Sequence, residues 1–166
     1  MIQHFQSLFG HCAWANRLTL ESLLACPAAQ TEGTPLLAHL LAAEQIWLSR
    51  LQRREPALST WPSLSTHDCQ ALMADCERGW SEYLWGLPEQ ELRGEIEYRT
   101  SRGDLFHNTI AEVLMQVVTH GGYHRGQIAK IVSREGGTAA STDYILYVRS
   151  FKSAEALPPS ARSDHS

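Results

Sequence analysis

His39, His120 and His124 are the residues of this chain with the clearest capacity for chemistry. Two of them lie in the segment Val117-Val118-Thr119-His120-Gly121-Gly122-Tyr123-His124-Arg125-Gly126-Gln127-Ile128. On a helix, the i, i+4 spacing turns a side chain by about 40° and advances it about 6 Å, so both rings can converge on one ion. A third ligand must come from another element. Three neutral imidazoles and one open position form the arrangement in which a metal lowers the pKa of a bound water or of a substrate thiol. The competing reading makes each histidine a core residue hydrogen-bonded to a backbone carbonyl or a polar neighbour, because a buried imidazole without a partner costs desolvation energy.

The apolar pattern decides which way these rings point. At 100° per residue, Val113, Val117, His124, Ile128 and Ile131 fall within roughly 80° of His120, on the stripe that faces a core. Over Leu36 to Leu51, His39 shares its side with Leu36, Leu40, Ala43, Ile46 and Trp47, again the apolar side, and is the best-placed third partner. A structural zinc would take a closed shell of four ligands, and no cysteine stands at ligand spacing beside these histidines, so an open site is favoured. Imidazole ligands alone do not choose between zinc, nickel and iron.

Other residues enter as candidates around the site. His4 and His11 lie seven apart on one side of the first helix, where a fourth ligand or a proton shuttle is weighed against a partly exposed or core-capping role. Gln127 follows His124 by three residues, near enough for its amide to orient a ligand or bind substrate. Tyr123 and Arg125 are expected to face a loop, a partner subunit or solvent. Trp14 and Asn16 divide evenly between packing with helix–helix hydrogen bonding and catalysis. Glu112 lies two turns before His120, too far along the axis to act as a base at its ion, so a base for hydrolysis would have to come from another helix, Glu44 or a residue of the first.

Positioning these groups requires several long helices. Residues 2–25 carry a helical pattern (Phe5, Leu8, Cys12, Ala15, Thr19, Leu23) closed by Pro27. Thr34-Pro35 reads as an N-cap with proline at the first helical position, opening a second helix to about Arg53 before Pro56. After a loop with Pro56, Trp61 and Pro62, Ser65-x-x-Asp68 opens a third helix to about Trp85. Arg93 to Asn108 alternates and turns at Thr100-Ser101-Arg102-Gly103, a hairpin or an extended loop. Thr109-x-x-Glu112 is a capping box for a fourth helix ending at Glu135-Gly136-Gly137, about 26 residues or roughly 39 Å. Asp143 to Phe151 adds a short helix. The expected organisation is one all-α four-helix bundle over residues 1–152 and a flexible tail over 153–166. The connection after the second helix is long enough either to turn back or to cross the bundle lengthwise.

Composition narrows the function classes. A chain of 166 residues suits one domain with its own core. Its net charge of −4, with 14 scattered Lys and Arg, offers no basic face for nucleic acid. No apolar run reaches the about 18 residues of a membrane span. Cys12, Cys26, Cys69 and Cys76 form no CxxC pair and the opening residues carry no basic segment before an apolar stretch, so a reduced, cytoplasmic protein with cysteines as core residues is expected.

Three segments together resemble the DinB family: Phe9-Gly10-His11-Cys12-Ala13-Trp14-Ala15-Asn16-Arg17, Ala38-His39-Leu40-Leu41-Ala42-Ala43-Glu44-Gln45-Ile46-Trp47-Leu48, and Val118-Thr119-His120-Gly121-Gly122-Tyr123-His124-Arg125-Gly126-Gln127-Ile128. The resemblance extends over about residues 1 to 150. It implies a divalent metal, zinc or nickel, held by His39, His120 and His124, a bundle with a crossed connection, and a homodimer. Members of that family include thiol-dependent transferases and a thiol-dependent isomerase. The resemblance therefore implies a metal-dependent S-transferase acting with a low-molecular-weight thiol, with a hydrolase using the same open position, or a stress-induced metal-binding protein without turnover, as the alternatives.

Overall fold

The computed structural model describes residues 1–100 and 102–155, with side chains described as far as Ser150. Helix α1 spans Ile2–Leu24, α2 Gln30–Leu51, α3 Thr66–Gly86, α4 Ile110–Arg134 and α5 Tyr144–Glu155; strands β1 (Glu95–Arg99) and β2 (Leu105–Thr109) precede α4. The protein is mainly α, as its periodicity implies. The short tail expected after residue 152 lies, beyond Glu155, outside the described residues.

Local chemistry sets two of the helix starts. Ser65 Oγ accepts from the Asp68 N–H at 3.1 Å while Asp68 receives the Ser65 N–H at 3.0 Å. Thr109 and Glu112 make the same reciprocal pair at 3.2 and 2.8 Å, satisfying donors that a helix leaves open at its first turn. The segment after Arg93 resolves into a hairpin, β1 antiparallel to β2 with Glu95 opposite Thr109 and Arg99 opposite Leu105. Its turn uses Gly103 at φ 87°, a conformation that costs a side-chain-bearing residue energy.

The second helix departs from expectation. A 3-10 turn at Pro27–Ala29 leads into α2 at Gln30, so Pro35 lies inside the helix and Thr34 is not its cap. Tertiary contacts hold the added turn. Gln30 Nε2 donates to the Leu23 carbonyl at 3.0 Å, Gly33 lets α2 approach the Leu23 side chain, and Glu32 pairs with Arg134 of α4 at 2.6 Å. Among the described residues Thr34 Oγ1 is left buried with no partner, the residue of a cap that the fold overrides.

Side-chain pairs fix the helix directions. α1 runs against α3, with Gln6 donating to the Leu84 carbonyl at one end and Arg17 pairing with Glu77 towards the other. α2 runs against α4, since Glu32 meets Arg134 while His39 meets His120 and His124. α2 and α3 run the same way, because Cys76 meets the Leu41 carbonyl and Gly79 meets Leu48. The main helix–helix faces are α1 with α3 and α4, and α2 with α3 and α4. Two consecutive helices pointing the same way force residues 52–65 to travel back along the helices before α3 can start.

The core falls into two apolar clusters along the axis. One gathers Phe5, Phe9, Leu48, Trp80, Leu84, Val113 and Leu114; the other gathers Leu20, Leu23, Leu37, Leu41, Met73, Ile128 and Val132. The polar residues Asn16, Glu44, His124 and Arg125 come from the helix stretches between them and are buried. Among the described residues the two buried residues that carry a formal charge, Glu44 and Arg125, both lie there.

Candidate metal centre

α2 supplies His39 and α4 supplies His120 and His124, one turn apart, as their spacing requires. Their potential ligand nitrogens all lie within 4.8 Å of one another. His39 and His124 are each 7% exposed, and His120 is half-buried. The sequence-selected histidines therefore do come together.

Each buried ring is oriented by an acceptor on its far side. His39 Nδ1 donates to the Thr60 carbonyl at 2.7 Å, and His124 Nδ1 donates to Gln127 Oε1 at 2.8 Å. A proton on Nδ1 leaves the Nε2 lone pair free as a ligand, so both contacts select the tautomer a metal needs. Trp61 covers the other face of His39, ring on ring at 3.8 Å and 7° between planes. The connection between α2 and α3 thus carries two of the groups that hold His39, and Trp61 remains 58% exposed on its outer side.

The donor set fits a divalent cation. His124 Nε2 and His120 Nε2 stand 3.1 Å apart, a spacing at which both reach one ion at the roughly 2.0–2.1 Å of a zinc–imidazole bond. A side-chain movement on the order of 1 Å would bring the widest pair to tetrahedral ligand spacing. Burial, and then the neighbouring His124 and His39 rings, push the His120 imidazole down to about 4. Burial lowers His124 as well, with the Gln127 hydrogen bond opposing and His39 adding to the fall. These two rings are then neutral at pH 7, the form that binds metal. No carboxylate or cysteine joins the group among the described residues.

The other candidates are distributed as follows. Gln127 belongs to the site through His124. Tyr123 is 66% exposed and sets its ring edge-on to His124 at 5.2 Å, on the solvent side as anticipated. His4 is exposed, and His11 bonds the Thr142 carbonyl at 2.7 Å among Trp14, Tyr144 and Tyr147, so neither reaches the triad. Glu112 stays at its capping box. All four cysteines are free and buried; desolvation pushes Cys12 up to about 12 and Cys69 up to about 11, which makes them packing residues.

Arg125 corrects the expectation that it faces a loop, a partner or solvent. It is 4% exposed, and its Nη1 donates to Asn16 Oδ1 at 2.9 Å. Asn16 Nδ2 donates in turn to Glu44 Oε1 at 3.0 Å, linking α4, α1 and α2 through the interior. The guanidinium folds back over Gly121, where a Cβ would stand 2.9 Å from Nη1. A glycine one turn before a helical arginine was the available signal for a buried side chain. Asn16 is therefore a helix–helix hydrogen-bonding residue, and Glu44 is engaged in this network. Sequence reasoning did not anticipate Thr60 and Trp61, since nothing in a Pro- and Trp-bearing loop marks a backbone carbonyl that orients a distant ring.

The sequence profile of the DinB family matches residues 1–156. The chain belongs to the DinB family. Among curated proteins, it is similar to Protein DinB of Bacillus subtilis (strain 168), with 33% identity over 75 residues. That alignment covers 45% of this chain and 44% of the relative, less than half of either. No solved structure matches the chain. In this DinB protein, no helix among the described residues is long and apolar enough to cross a membrane.

Proposed function

We propose that this DinB protein is a divalent-metal-dependent enzyme that joins a low-molecular-weight thiol to an electrophile, with His39, His120 and His124 as the metal ligands. The observation that carries the reading is the pair of oriented rings, His39 on Thr60 and His124 on Gln127, which with His120 bring one ligand nitrogen each within 4.8 Å of the others. A packed core histidine needs one partner; two rings each holding an outer partner and sharing an inner focus are built for a guest. Zinc or nickel is the proposed ion. A divalent cation there favours the deprotonated, nucleophilic form of a thiol.

The protein's own groups do the rest. Thr60 and Gln127 hold the ligand tautomers, Trp61 and Tyr123 offer exposed aromatic surface beside the rings, and half-buried His120 marks the open side. The reaction forms a sulfur–carbon bond; the leaving group departs with its electron pair and the thiol proton passes to solvent. Among the described residues no carboxylate joins the histidine group to serve as a general base for hydrolysis, which leans the reading towards thiol transfer. We further propose that the four packed helices form the crossed bundle of the family and that the chain works as a cytoplasmic homodimer.

The test is turnover. Metal-loaded protein is assayed with cysteine and glutathione as thiols and monobromobimane as electrophile, beside the His124→Ala variant. Thiol-dependent turnover lost in the variant supports the enzyme. Stoichiometric metal uptake without turnover on a broadened thiol panel would leave a metal-binding module.

A further inference from the structure

A cavity of about 320 Å³ lies between α1 and α3, away from the histidine triad. Its walls come from Phe9, Met73, Trp80 and Leu84, all at least nine-tenths buried, and its mouth is bordered by Gln6, Glu77, Ser81 and Trp85. α2 contributes one residue, Glu44, whose side chain reaches between the two helices beside Asn16 to form the polar floor. The size falls within the roughly 300–1,000 Å³ range of small-molecule sites, which combine apolar walls with a few placed polar groups.

The charge of the lining chooses the ligand. Among the described residues no Lys or Arg lines the cavity, whereas two carboxylates do, Glu44 at the floor and Glu77 at the mouth. Glu77 is already paired with Arg17. Among the described residues Glu44 has a hydrogen bond only from Asn16 Nδ2, to Oε1, and Asn16 stands between it and Arg125. A buried carboxylate with an acceptor oxygen to spare calls for a donor, and aromatic walls favour a cation. An anionic guest would meet Glu44 as a like charge, and a guest lacking a donor would leave its oxygen unsatisfied.

We propose that this cavity is a second ligand site, distinct from the histidine centre, for a small molecule with an apolar or aromatic body and a protonated amine seated on Glu44. The inference does not rest on the metal reading. Calorimetric titration of the full chain at pH 8, above the value of about 7 to which burial raises the Glu44 carboxyl, with phenethylammonium, phenethyl alcohol and hydrocinnamate tests it, since the three probes share one body and differ in charge. Wild type is expected to bind the ammonium at least about tenfold more tightly than either comparator. Glu44→Gln, which keeps an acceptor for Asn16 and removes the charge, brings the three to parity. Ala13→Trp, placed on the cavity wall with Glu44 intact, abolishes binding of the ammonium while circular dichroism shows wild-type helix content. His39→Ala retains ammonium binding whatever becomes of its metal. Equal affinity of the three probes for wild type, or undiminished ammonium binding in Ala13→Trp, would overturn the proposal even if Glu44→Gln fails to fold.

Discussion

Asn16→Ala should be among the most damaging single substitutions in this protein, although Asn16 touches no histidine of the triad. The side chain is 1% exposed and makes two hydrogen bonds to charged groups, donating to Glu44 at 3.0 Å and accepting from Arg125 at 2.9 Å. Hydrogen bonds to charged groups contribute about 1.5–3 kcal/mol each, and their loss leaves two buried charges with too few partners. Part of that cost is recovered if water enters from the neighbouring cavity, so the expected loss is about 3–5 kcal/mol. For a chain of this size that lowers Tm by roughly 6–20 °C. Urea unfolding of metal-free protein at pH 8, followed by circular dichroism, measures it, with an unchanged dependence on urea as the sign that the native fold is kept. The triple change Asn16→Leu, Glu44→Met, Arg125→Met should cost less than Asn16→Ala alone, because it removes the stranded charges together with their bridge. A loss under about 1 kcal/mol for Asn16→Ala, or a triple variant weaker than the single one, would refute the reasoning.

Further outcomes follow from the same geometry. His124→Ala should lose metal while keeping nearly all its helix signal, because the two apolar clusters do not depend on that ring; retained metal would place the ion elsewhere. Gln127→Ala should weaken metal binding about 10–100-fold, the usual effect of removing a ligand's outer partner, measured by competition with a chelator. Cys12→Ser and Cys69→Ser should leave metal content unchanged, both thiols being buried and pushed well above neutrality. Burial raises the Glu44 carboxyl to about 7 from an ordinary 4.5, so the folded state holds more protons than the unfolded one across that window. Glu44 therefore removes stability as pH rises from 4.5 to 7. The stability of Glu44→Gln relative to wild type should climb over the same range in paired urea titrations, and a flat difference would contradict a carboxyl whose burial outweighs its Asn16 hydrogen bond.

What could be read from the sequence was whatever short-range physics decides. Ser65-x-x-Asp68 and Thr109-x-x-Glu112 gave the starts of α3 and α4 because a capping box closes within four residues. His120 and His124 were legible as a pair because helical spacing alone superimposes them, and His39 because it shares an apolar stripe. The start of α2 was misread, since Thr34-Pro35 carries a cap signature that contacts from Leu23 and Arg134 outweigh. Arg125 was misplaced for a related reason. Its burial depends on Asn16, 109 residues away, and a charged side chain has no periodicity that announces such a partner. The Thr60 carbonyl belongs to a path through space that only the parallel run of α2 and α3 dictates.

The central claim is that three imidazoles form one metal centre, and it is tested most directly by metal content. The protein is purified without a histidine tag or chelator, and wild type is compared with His39→Ala by plasma mass spectrometry. The account predicts about one zinc or nickel ion per chain in wild type and background in the variant. Absence of stoichiometric metal from wild type even after reconstitution, or metal retained in full by His39→Ala, would contradict it.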